Sequence, residues 1–196
     1  VKKRTGFKVE YGPVRASDLP EYLKTGQATP EMRRVRFSLK DRLELIPIEL
    51  VHVLWPLAIV AIGLGLLVGP LAAVGTVASV LAAVALFPIL LPWLPTRDFS
   101  SKGLILGGLV ALPVALGAIL GNPEAVWWLG AGRGLMYLLA MPPVAAFLGL
   151  NFTGATTFTS KTGVRREMYA YIPVMAWLFG VGIVLTIAVT LIRLLG

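Results

Sequence analysis

IPIELVHVLWPLAIVAIGLGLLV, residues 46 to 68, carries Glu49 and His52 near its start and no other ionisable group. A hydrocarbon core about 30 Å thick is crossed by roughly 20 apolar residues in a helix. This stretch meets that length, and four more approach or meet it: residues 71 to 94, 104 to 120, 125 to 150 and 172 to 195, the third being short. Mean hydropathy is +0.81, with 57% hydrophobic and 14% charged residues, whereas soluble domains carry about a quarter charged residues. The pattern predicts an all-α transmembrane bundle of five helices over residues 46 to 196, embedded in a lipid bilayer and preceded by a short α/β remnant.

The remnant is residues 1 to 26. Phe7, Val9 and Tyr11 alternate with Lys8 and Glu10, the period of a half-buried strand. Gly12-Pro13 breaks it, Ser17 or Asp18 can cap a helix, Leu19, Tyr22 and Leu23 share a helical face, and Gly26 stops the helix. One strand and one helix are too little to fold alone, so the segment reads as the C-terminal end of an α/β domain that lies upstream. The chain, which starts at Val1, reads as cut from something longer, and its basic N-terminus has no apolar core of a signal peptide. Gly12, Pro13, Val14, Arg15 and Ala16 lie where strand hands over to helix, the place where open α/β sheets bind ligands. There Gly12 permits close approach and Arg15 can meet a phosphate; an ordinary βα turn is the equal alternative.

Residues 27 to 45 form a basic juxtamembrane linker, in which Ser38 and Asp41 resemble a capping box. Its five cations (Arg33, Arg34, Arg36, Lys40, Arg42) fall on the same side as Arg97, Lys102, Lys161, Arg165 and Arg166, ten in all, against Arg133 and Arg193 on the other. By the positive-inside rule the N-terminus is cytoplasmic and the C-terminus outside, with Trp127 and Trp128 at the outer interface. The net charge of +8 therefore reads as orientation and headgroup contact, with no nucleic acid as partner.

Asn122-Pro123-Glu124 reads as the start of the fourth span. Gly63 with Gly65, Gly75 with Ser79, Gly117 with Gly121, and Gly180 with Gly182 offer small surfaces for helix packing. Pro56, Pro88, Pro92, Pro113, Pro142 and Pro143 should kink or end helices. Glu49 and His52, three apart, can hydrogen-bond each other, although a solvated role at the interface is favoured. Arg133 reads as an outer-interface residue in preference to a buried anion site. The absence of cysteine removes disulfides and thiolate metal sites, and no catalytic or metal-ligating set is assigned.

NFTGATTFTSKTGVRREM, residues 151 to 168, reads as a long polar loop between two apolar segments, with Thr or Ser at six of its first twelve positions and a basic end. It lacks Cys, His and Asp, which makes it a docking surface in preference to an active site. Together with VEYGPVRASDLPEYL, ATPEMRRVRFSLKDRLELIPIELV and LLPWLPTRDFSSKG, it resembles the C-terminal part of the HgcA family of mercury-methylating corrinoid proteins. The first block is also similar to the end of the corrinoid domain of the corrinoid iron-sulfur protein.

The resemblance implies a corrinoid (cobalamin-type) methyltransferase of the prokaryotic inner membrane, in which an upstream corrinoid domain is fused to the five-span anchor. Methyl transfer from cobalt to mercuric ion is the implied activity, with a ferredoxin-like iron-sulfur protein as electron donor and Gly12 to Ala16 bordering the cofactor. The family's cobalt-facing cysteine has no counterpart here: either the chain begins after it, or the relative has lost that chemistry. The alternative class is a small membrane transporter with Glu49, His52 and Arg133 along its pathway.

Overall fold

The computed structural model describes residues 6, 11–35, 37–121, 126–153 and 160–195. The chain divides into two units, Val1–Ser38 and Leu39–Gly196. Every regular element among the described residues is helical. The strand expected over Phe7 to Tyr11 lies outside the described residues, apart from Tyr11, which belongs to no regular element.

In the first unit a 3₁₀ turn, Ala16–Asp18, leads into helix α1, Leu19–Thr25. Gly26 ends α1 as expected, with φ 66° and its N–H bonded to the Tyr22 carbonyl, a left-handed position that glycine adopts without a Cβ penalty. The expected cap is not made. Ser17 donates to the Asp18 carboxylate, and neither side chain bonds the helix amides. No residue of α1 is buried.

The second unit holds α2 (Leu39–Leu43), α3 (Ile46–Leu67), α4 (Pro70–Leu90), α5 (Phe99–Leu120), α6 (Trp127–Asn151) and α7 (Lys161–Leu195). Five helices, α3 to α7, are long and apolar enough to cross a membrane. Their ends differ from expectation at three places. The second span stops at Leu90, short of residue 94, because Pro92 and Pro95 cannot donate to a continuing ladder. The third starts at Phe99, with extended Asp98 before it, and so is not short. The last begins at Lys161, so residues 161 to 168, expected in a loop, are helix; Ser160 caps it by accepting the Gly163 N–H. The expected start of span four at Asn122 to Glu124 lies outside the described residues.

Pro56, Pro113, Pro142 and Pro143 sit inside helices without ending them. Pro88 acts differently. It cannot bond the carbonyl four residues back, and the turn before it widens to a π-helical segment, Ala82–Leu86, closed by Phe87 N–H to the Ala82 carbonyl.

The centre of the bundle is α6, between α5 and α7. Lipid tails are as apolar as leucine, so helices in a bilayer associate through close packing. A Cβ on Gly103 would lie 2.4 Å from the Ala146 Cα, and one on Gly107 2.7 Å from the Pro142 Cα. These glycines, four apart, bring two backbones together. Ala72, Ala111, Ala115, Tyr137 and Met141 fill the adjoining core, and the Ser79 hydroxyl donates to the Met141 carbonyl at 2.9 Å.

Of the small pairs expected to pack, Gly75 with Ser79 is buried and Gly182 meets Ala140. Gly63, Gly117 and Gly180 face open space. Gly103→Leu should therefore destabilise the bundle by at least the roughly 1–3 kcal/mol of an overpacked core, read as thermal unfolding in detergent. Gly117→Leu should melt no lower than wild type.

Candidate functional site

Three connecting segments meet at the end of the bundle where α4 stops and α5 and α7 begin. A helix end leaves its last carbonyls and first amides without intrahelical partners, and where they are buried from water another group must bond them. Here charged side chains do so. Arg42 of α2, 9% exposed, donates to the carbonyls of Pro88 and Ile89 at 3.2 and 3.1 Å. Lys102 donates through Nζ to the Leu91 carbonyl at 2.8 Å. The first turn of α5 receives the opposite charge: the Glu167 carboxylate, 7% exposed, accepts the Ser100 N–H, at the positive end of the α5 dipole.

An aromatic group lies beside these polar contacts. The fully buried Phe87 ring is 6.0 Å, centroid to centroid, from both Phe99 and Phe152, which joins the ends of α4 and α6 to the start of α5. Gly149 leaves room for it, since a Cβ there would meet the Phe87 ring at 3.1 Å. Tyr171 donates to the Asp98 carboxylate at 3.1 Å, and Ser101 bonds Thr96 at 2.8 Å. The Ser100 hydroxyl is wholly buried and has no hydrogen-bond partner.

Chemically this is a clamp. It contains no cysteine or histidine, and among the described residues no group of three His, Cys, Asp or Glu side chains could hold a metal ion.

The residues singled out from sequence lie elsewhere. In the Gly12 to Ala16 segment, the Val14 N–H bonds the Met32 carbonyl at 2.8 Å and the Val14 side chain is 51% exposed. Arg15 and Ala16 are exposed where the 3₁₀ turn starts, and a Cβ on Gly12 would meet the Tyr22 ring at an ordinary 3.5 Å. The glycine is thus not sterically required by the described residues. On α3, His52 is exposed and Glu49 half-buried, and the hydrogen bond their spacing allows is not made. Arg133 lies within α6, half-buried, with Nη1 buried and unbonded; Trp127 and Trp128, which begin that helix, are exposed.

Sequence reading missed Glu167 and treated Arg42 and Lys102 as surface charges. The available signal was the lone acid in the RREM run, placed by helical spacing away from its arginine neighbours. Family models, curated proteins and solved structures give no match to the chain.

Glu167→Ala should cost about 1.5–3 kcal/mol, the worth of a hydrogen bond to a charged group, seen as a lower unfolding temperature in detergent. Tyr171→Phe, which removes an exposed contact, should stay near wild type in the same assay.

Proposed function

We propose that this chain is the membrane domain, with the last βα unit of the soluble domain, of a corrinoid-dependent methyltransferase of the HgcA kind. The whole protein transfers a methyl group from cobalt to mercuric ion, and a ferredoxin-like protein returns electrons to the corrinoid. The five helices anchor it in a prokaryotic inner membrane, with the N-terminus and the clamped end cytoplasmic.

The observation that carries the reading is the four-block resemblance. Support comes from where three of those blocks meet. Arg42 comes from the second block, Leu91, Asp98, Ser100 and Lys102 from the third, and Glu167 from the fourth, and all contribute to one clamp. An end built to hold its loops in place suits docking of a soluble domain. The uncovered Tyr11, Leu19 and Leu23, 82%, 45% and 72% exposed, likewise suit a segment that belongs to a larger domain.

The Gly12 to Ala16 turn does not by itself fit a corrinoid. It is largely exposed, and one of its amides is already bonded, so it borders the cofactor and the bulk of binding falls to the upstream domain. A transporter draws less support: the buried polar side chains among the described residues are Arg42, Ser79, Ser100, Thr153 and Glu167, most of them gathered at one end.

The full-length product should purify with cobalt and corrinoid and form methylmercury when supplied with a methyl donor. Replacing Glu49, His52 and Arg133 should leave that activity little changed. A full-length product without cobalt, encoded without an upstream corrinoid domain, would sink the proposal.

A further inference from the structure

Between α6 and α7 runs an apolar groove of about 300 Å³, with the buried Pro143 and Met175 at its floor and Phe147, Ile172, Ala176 and Phe179 at its sides. That volume is at the lower end of small-molecule sites, roughly 300–1,000 Å³. Phe147 is 51% exposed and Phe179 38%, so the groove opens sideways, toward the surface that lipid covers. No polar group inside it would orient a polar ligand.

The charge lies at one end. Ile172, Met175, Ala176 and Phe179 share a face of α7, and Arg165, seven residues before Ile172, continues that face. At 1.5 Å per residue the separation is about 10 Å along the axis. The Arg165 guanidinium is 5.7 Å from the centre of the Tyr169 ring, one turn further along the same stripe. Arg165 is exposed, and among the described residues no carboxylate pairs with it; Glu167, the acid nearest in sequence, faces the Ser100 amide. Asn151, exposed at the end of α6, lies at the same end, one turn beyond Phe147.

We infer that this face seats an anionic phospholipid, one acyl chain in the groove and the phosphate at Arg165. The apolar part fits a chain, and the cation beyond it, which among the described residues has no carboxylate partner, selects the headgroup charge. This site does not depend on the proposed methyltransferase activity.

Native mass spectrometry of the purified chain tests it, with phosphatidylglycerol and phosphatidylcholine of identical acyl chains as probes. The wild type should retain one phosphatidylglycerol in preference to phosphatidylcholine. Arg165→Gln should weaken phosphatidylglycerol retention about fivefold, as expected for one interfacial cation, and leave phosphatidylcholine unchanged, while Arg165→Lys should restore it. Ala176→Phe, which fills the groove from an exposed position, should reduce retention of both lipids. Equal retention of the two lipids by the wild type, or unchanged retention by Arg165→Gln or by Ala176→Phe, would overturn the inference.

Discussion

The close crossing of α5 on α6 is the contact from which the rest of the bundle takes its position. Gly103 and Gly107 let the α5 backbone reach Pro142, Ala145 and Ala146 at distances that leave no space for a Cβ. Where the surrounding lipid is as apolar as the side chains, that intimacy is what holds helices together. Lys102 and Ser100 lie just before Gly103, so the same crossing sets where the polar clamp can form.

The clamp answers a second requirement. The end of α4 and the start of α5 leave carbonyls and amides without intrahelical partners. Cations meet the carbonyls of Pro88, Ile89 and Leu91, and an anion meets the amide of Ser100. The charges thus match the sign of each helix terminus. A buried ion left alone would be costly; each of these has a backbone partner.

The spans were legible because a run of some twenty apolar residues has few other readings, whereas their ends were not. Residues 161 to 171 are too polar to register as part of a span, and their helical nature depends on the Ser160 cap and on contacts with α5 that have no local signature. Gly103 was hidden within the polar LLPWLPTRDFSSKG run, while Gly117 and Gly180, more conspicuous in apolar surroundings, face outward. Glu167 drew no reading beside Arg165 and Arg166 because residues 161 to 168 read as a loop, and it is the helix that turns the acid away from them. For Gly12 to Ala16 the limit is different: a site at a strand's end is defined by neighbouring strands, and the described residues contain none.

Helix α7 is a single element of 35 residues, which at 1.5 Å per residue is about 52 Å, whereas a bilayer with its headgroups measures about 40–45 Å. Laid along the bilayer normal, the helix is therefore longer than the membrane is thick, so that it must tilt or carry its polar first turns, Lys161 to Glu167, at headgroup level and beyond. Glu167 braces that end against the start of α5. The same helix carries the contact of Gly182 with Ala140 three turns and more beyond, and Pro173, which cannot donate to the ladder, lies between the two.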